Sequence, residues 1–260
     1  MKMTQTADGK RVRRGMKVYD RPWMANRTIT VAGAKDGMID MGNGGGVPAS
    51  CTYSSKEALS EAKRVLIFGG TFDPIHNGHL IACRTVAESL GIKRIILIPS
   101  GKHPYKHNIT SPEIRMEMLE ASIEDERIFD ICDCEFNRGG YSYSFDTAVW
   151  IKEDICRRMK EVYWMIGEDN VAQIPKWYKA EEFVKEVRFA VACRKTNESD
   201  FNGTDEEKQI IEQMDIEYID TPIIEISSSM IRDRVKQGQS IKYLVPELVE
   251  KYIKDNNLYK

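Results

Sequence analysis

The chain has 260 residues, 42% hydrophobic, 9% aromatic and 30% charged, with a formal net charge of −2, a composition that excludes a disordered chain, a coiled coil and a repetitive fibre. At about 150 residues per domain this length gives one large domain, or one domain with a small appendage. No apolar run approaches the roughly 20 residues that cross a bilayer, and the opening MKMTQTADGKRVRRG lacks the apolar stretch of a secretory signal, so a cytoplasmic location and no membrane contact are expected.

Residues 1–63 hold 11 Lys and Arg against 6 Asp and Glu, whereas 64–260 hold 27 against 34. The two parts therefore differ in charge sign and in the partners they suit. Within 1–63, short pieces such as Met16–Tyr19 and Thr28–Val31 alternate with turn signals at Asp36-Gly37 and Asn43–Gly46, which predicts a small antiparallel β module. The basic run Lys10–Arg14 is more often a solvated tail than a nucleic-acid contact. Ser54 and Glu57 are spaced as a capping box opening a short helix over 54–62.

From residue 64 the pattern changes to buried strands alternating with amphipathic helices. Strands are expected at Val65–Phe68, Ile95–Ile98, Ile128–Cys132, Val162–Ile166 and Phe189–Ala192. Helices are expected at Gly78–Leu90, Pro112–Ile123, Phe145–Lys160, Ala180–Lys185, Ser227–Lys236 and Pro246–Lys254. This alternation describes an α/β fold with a Rossmann-like, doubly wound parallel sheet. The boundary is set at 1–63 for the β-rich module and 64–260 for the α/β domain. Six cysteines are scattered, and the one close pair, Cys132 and Cys134, has neither zinc nor CxxC spacing, so reduced, partly buried thiols are expected.

The densest signal lies where the first of these strands ends, at Val65–Leu80. Two glycines, Gly69 and Gly70, let a ligand approach the backbone, and a helix opens beside His76 and His79. A helix N-terminus already favours an anion. Two imidazole donors there could hold phosphate oxygens and stabilise charge that grows in a transition state. An isolated HxxH is more often structural, but strand, double glycine and HNGH together are far more specific. A second segment, Ile226–Arg232, places Ser228 and Ser229 at a helix start and Arg232 one turn in, which suits a polyphosphate; read alone it is a serine cap followed by a solvated arginine.

On these residues the chain resembles the nucleotidylyl transferases of the HxGH type, and within them the bacterial nicotinate-mononucleotide adenylyltransferases. GGTFDPIHNGHL resembles the family's signature, ISSSMIR its ISSTxIR motif with serine for threonine at 229, and GQSIKYLVP its C-terminal GxSIRYLVP, so the likeness runs from about residue 64 to the end. GKHPYK resembles the loop ending PPHK, with Tyr105 in place of a histidine. GGYSYSFDT resembles G-x-SYTxDT, MIGED resembles IIGxD, and IPKWY carries the family's tryptophan. Residues 1–63 have no counterpart in that pattern.

The resemblance implies transfer of AMP from ATP to nicotinate mononucleotide. His76, His79 and Arg232 would be the catalytic groups. The ATP site would comprise Gly69, Gly70, Thr71, Phe72, His76, His79, Lys106, Gly167, Asp169, Ser228, Ser229 and Arg232. Tyr143, Ser144, Trp177 and Tyr178 would take the mononucleotide, with Ser144 and backbone N–H groups on the pyridine carboxylate and Trp177 stacked on the ring. Asp169, at a strand's carboxyl end, would accept hydrogen bonds from ribose hydroxyls. Mg2+ would be bound by substrate and water, with no protein metal ligand. Homo-oligomerisation stays open. A nicotinamide-mononucleotide enzyme and a non-catalytic nucleotide-binding regulator stand as alternatives, while the pantetheine-phosphate and FMN enzymes share the chemistry but not the SYSFDT, GEDN and PKWY segments.

Overall fold

The computed structural model of the chain describes residues 16–20, 28–30, 33–35, 38–40, 46–48, 52–53, 64–101, 109–124, 126, 128–155, 161–193 and 203–260. The expected helix at 54–62, the basic run at 10–14, Cys51, Cys156 and Lys106 lie outside these residues. Contacts divide the chain into two compact units, Met1–Val65 with Trp150–Glu161, and Leu66–Val149 with Val162–Lys260.

The first unit contains β1 (Lys17–Asp20), β2 (Thr28–Thr30), β3 (Gly33–Lys35), β4 (Met38–Asp40), β5 (Gly46–Pro48) and β6 (Thr52–Tyr53). They form two three-stranded sheets, β2-β1-β6 and β3-β4-β5, every pair antiparallel. Lys35 pairs with Met38 across Asp36-Gly37, the dipeptide that favours a tight hairpin.

The six strands that follow, β7 (Arg64–Gly70), β8 (Ile95–Pro99), β9 (Phe129–Ile131), β10 (Glu161–Gly167), β11 (Arg188–Cys193) and β12 (Ile216–Asp220), form one sheet in the order β12-β11-β10-β7-β8-β9. The pairs β7–β8, β8–β9, β10–β11 and β11–β12 are parallel. Between and after the strands lie α1 (Asn77–Ser89), α2 (Pro112–Ile123), α3 (Cys134–Arg138), α4 (Ser144–Trp150), α5 (Glu168–Val171), α6 (Ala180–Glu186), α7 (Asp205–Glu212), α8 (Ser228–Lys236) and α9 (Glu247–Asp255). β8 is buried along its whole length, as a central parallel strand covered on both faces must be, and its Ile-Ile-Leu-Ile run is the sequence form of that burial. The strand order doubles back between β7 and β10, the kind of switch point at whose carboxyl ends such sheets hold ligands.

The expected Rossmann-like sheet is therefore present, with four elements the periodicity did not show: α3, the short α5, α7 and the edge strand β12. The helix expected over 145–160 begins at Ser144 but gives way to a π-helical turn over Ile151–Ile155. Cys83, Cys132, Cys134 and Cys193 are free thiols, the first three buried.

Candidate active site

The HNGH segment owes its geometry to helix capping. His76 is the N-cap of α1, in extended backbone, and its Nδ1 accepts the N–H of His79 at 3.3 Å. His79, three residues on, accepts the N–H of His76 on its own Nδ1 at 3.4 Å. Two imidazoles thus do what Ser and Glu do in an ordinary capping box. Their rings stack with centroids 3.5 Å apart and 18° between planes. A Cβ on Gly78 would stand 3.1 Å from the His76 ring, so the intervening glycine leaves that ring its place.

With both Nδ1 lone pairs engaged by backbone N–H groups, each neutral ring carries its proton on Nε2, a donor turned outward. Burial pushes the pKa of His76 down to about 4. That of His79 falls well below its usual value through burial and the neighbouring His76. The pair is neutral at physiological pH and serves as two fixed dipolar donors.

The loop before α1 is tied down from several sides. Arg232 donates through Nη1 to the Asp73 carbonyl at 2.7 Å and through Nη2 to Ser229 Oγ at 3.1 Å. Ser228 Oγ donates to the Pro74 carbonyl at 2.8 Å, and Ser227 caps α8 by accepting the Met230 N–H at 3.1 Å. The serine cluster is thus both a helix cap and a seam that sets the N-terminus of α8, with Arg232 in its second turn, against the HNGH loop. Asn77 donates to the carbonyls of Leu244 at 2.9 Å and Tyr243 at 2.8 Å, which makes the GQSIKYLVP segment a buttress for the start of α1.

A cavity of about 790 Å³ opens where β7 and β10 end. Gly69, Gly70, Thr71 and Gly167 line one part of it, and Tyr143, Ser144, Trp177 and Tyr178 also contribute. Trp177 stacks on Phe183 with centroids 5.9 Å apart, and Tyr143 lies 4.5 Å from Tyr178. His79 meets the cavity through Phe68, a lining residue whose ring centroid is 5.8 Å away. Ser100 Oγ is buried in the cavity wall without a hydrogen-bond partner, and a polar ligand or water would satisfy it.

Three expected site residues sit differently from the rest. The Phe72 side chain is 2% exposed and packed in the core, over the position a Cβ on Gly70 would fill, so only its backbone can face a nucleotide. Asp169 is exposed and does not line the cavity; its carboxylate folds back to within 2.6 Å of where a Cβ on Gly167 would stand, and Asn170 takes the lining place. Lys106 lies outside the described residues.

Sequence reasoning missed Arg115, Glu135, Lys176 and Tyr259. Arg115 is 2% exposed. Its Nε donates to the Thr110 carbonyl at 3.0 Å, and its Nη1 to the carbonyls of Thr71 at 2.8 Å and Ser100 at 2.9 Å, stitching together the loops that follow β7 and β8. Its spacing with Met118, Leu119 and Ser122 puts it on the buried face of α2, a signal readable in the sequence. Glu135 is a buried carboxylate in the cavity wall, accepting from the Gly101 N–H at 3.1 Å and Thr147 Oγ1 at 2.8 Å. Among the described residues, Lys176 is the one basic side chain lining the cavity.

Residues 67–234 match the cytidylyltransferase-like family model. The chain is 39% identical over 196 residues to a probable nicotinate-nucleotide adenylyltransferase of Dehalococcoides mccartyi, covering 74% of this chain and 95% of that one. It is 38% identical over 198 residues to one of Caldicellulosiruptor bescii, covering 76% and 99%. Among solved structures, the Plasmodium falciparum nicotinic acid mononucleotide adenylyltransferase complexed with NaAD has a TM-score of 0.62 at 22% identity, covering 75% of this chain and 97% of that one, a likeness of fold.

Proposed function

The chain belongs to the cytidylyltransferase-like family and, within it, to the nicotinate-nucleotide adenylyltransferases, and from that premise we propose how residues 64–260 carry AMP from ATP to nicotinate mononucleotide in NAD biosynthesis. A 5′-phosphate oxygen of the mononucleotide attacks the α-phosphorus of ATP in line. The bond from that phosphorus to the bridging oxygen of the β-phosphate breaks, and pyrophosphate leaves with the bond's electron pair. The product is the deamido dinucleotide. No protein nucleophile is needed, so the protein supplies position and charge stabilisation.

The observation that carries this reading is the reciprocal cap of His76 and His79. It holds two Nε2–H donors rigidly beside the glycine turn of β7 without spending energy on orienting them during the reaction. Arg232 adds a full positive charge from α8, near the end of the helix that carries the positive pole of its dipole. On the acceptor side, Trp177 has one face against Phe183 and supplies an aromatic wall for the pyridine ring, while the Ser144 hydroxyl serves its carboxylate. Lys176 gives that cavity a positive charge suited to an anionic acceptor.

Magnesium enters this reading as part of the nucleotide substrate. Among the described residues no three His, Cys, Asp or Glu side chains converge on a metal site. Among the same residues no helix is long and apolar enough to cross a membrane.

The test is pyrophosphate release by the purified chain with ATP and magnesium, comparing nicotinate with nicotinamide mononucleotide through kcat/KM. A clear preference for the acid is expected. A preference for the amide would make the enzyme one that forms NAD directly, and ATP binding without turnover on either would leave a nucleotide-binding regulator.

A further inference from the structure

Beyond α9 the chain turns left-handed at Asn257 (φ 52°) and again at Tyr259 (φ 63°). Asparagine visits that region readily; a bulky aromatic does so only where its surroundings hold it there. At residue 259 the holding contacts lie inside the second unit. The phenol is half-buried beside the core, and its hydroxyl donates to Asp73 Oδ1 at 2.6 Å, with Met118 Sδ at 3.9 Å. Burial and this bond raise the Tyr259 pKa, so the hydroxyl stays a donor.

Asp73 is 4% exposed and sits in the loop before the HNGH cap. Its second carboxylate oxygen accepts the Thr110 N–H at 3.1 Å. Both oxygens accept from neutral donors, and the buried Arg115 guanidinium also bears on the carboxylate electrostatically. The main-chain carbonyl of the same residue takes Nη1 of Arg232, and Ser229 Oγ takes Nη2. A carboxylate and a guanidinium thus share one neighbourhood, yet among the ion pairs of the described residues none joins Asp73 to Arg232. A direct pair would be a strong contact at a partly buried site; the two Asp73 oxygens are instead taken by the Tyr259 hydroxyl and the Thr110 N–H.

We propose that Tyr259 is a positioning residue for nucleotide binding: its hydroxyl occupies the Asp73 carboxylate, so that Arg232 is oriented by uncharged oxygens and keeps its full charge for a phosphate of ATP. The inference rests on the reading of Arg232 as a triphosphate ligand. Without the hydroxyl, Asp73 Oδ1 is a buried acceptor with no donor, and rotation toward Arg232 restores its balance. The resulting internal ion pair neutralises the arginine and competes with the nucleotide.

Tyr259→Phe keeps the ring and its packing and removes only the donor. The experiment measures magnesium–ATP binding to the full chain by calorimetry without acceptor, and KM for ATP and nicotinate mononucleotide, in the original protein, Tyr259→Phe, Arg232→Met and the double variant. ATP affinity is expected to fall about tenfold in Tyr259→Phe, the ratio set by losing one good contact to a charged group, with the mononucleotide KM within about twofold. Tyr259→His, which retains a ring donor, should recover part of the loss. In the Arg232→Met background Tyr259→Phe should weaken ATP no further. Unchanged ATP affinity, losses that multiply in the double variant, or parallel loss of both substrates tracking a lowered Tm would overturn the proposal and leave Tyr259 a plain structural latch. Should the original protein bind ATP but turn over neither mononucleotide, the adenylyl-transfer reading fails while the binding comparison still decides the role of Tyr259.

Discussion

His76 and His79 cap one another: each imidazole Nδ1 accepts the other residue's backbone N–H, and the two rings stack at 3.5 Å. One pair of side chains therefore does two separable jobs. Nδ1 closes the helix end, and Nε2–H is free of that task and is the donor proposed for a phosphate. Alanine at either position would remove both at once, so a variant that keeps the cap and loses the outward donor is the informative one.

His76→Asn is that variant, because asparagine is among the strongest N-cap residues. Its Tm should stay within a few degrees of the original. Turnover should fall by about 10²–10³-fold, the cost of removing one preorganised donor at a developing charge. Thermal melts with pyrophosphate release check both halves. Near-normal turnover would remove His76 from the chemistry, and a large loss of Tm would show that the cap was not preserved.

The same burial makes the fold acid-sensitive. His76 titrates near 4 in the folded chain against about 6.5 when unfolded, so between those values the unfolded state binds more protons and stability rises with pH. The contribution, on the order of 3 kcal/mol, is fully present above about pH 6.5 and is lost as pH falls toward 4. His79 is shifted in the same direction. Tm measured from pH 8 to pH 5 should decline more steeply for the original protein than for His76→Asn; equal slopes would show that His76 is not held neutral.

The acceptor pocket gives a kinetic test. Trp177 presents one face to Phe183 and lines the cavity, while the histidine pair and Arg232 lie outside its lining. Trp177→Ala should raise the mononucleotide KM by roughly 10- to 100-fold, as for loss of one stacked aromatic wall, with a much smaller rise for ATP. Equal rises for both substrates would refute the stacking role.

The strands and helices that build the site announced themselves through ordinary signals. β8 is one unbroken apolar run, and α2 opens with Ser111 as cap and Pro112 in its first turn. The edge strand β12 was invisible because only Ile219 of its five residues is buried, so Ile216–Asp220 carries neither an apolar run nor a clean alternation. Residue types pointed to the groups proposed to face phosphate, but not to their mechanics. Nothing in the string HNGH says that each histidine caps the other. The serines of ISSSMIR read as phosphate ligands or as caps until Ser228 was found donating to Pro74. Nothing in the sequence around Asp73 signals the two partners of its carboxylate, Thr110 and Tyr259, which are 37 and 186 residues away.

Arg115 extends that lesson to stability. Its three hydrogen bonds go to part-buried main-chain carbonyls of Thr71, Ser100 and Thr110, in the loops at the carboxyl ends of β7 and β8. Its guanidinium also lies 5.0 Å from the Phe136 ring. Arg115→Met fills much of the same volume but leaves those carbonyls without this donor. At about 1–3 kcal/mol for each buried group left unsatisfied, and with partial relaxation, the net loss should be roughly 3 kcal/mol. Arg115→Lys should recover little of it, since one ammonium cannot reproduce a planar fork that spans three carbonyls. Urea melts of the three proteins measure the loss. Assays well below Tm should then show both substrates bound more weakly, because Thr71 and Ser100 line the cavity that these loops shape. If Arg115→Met were as stable as the original, the loops would be held by their backbone alone and the buried arginine would need another reason for its place.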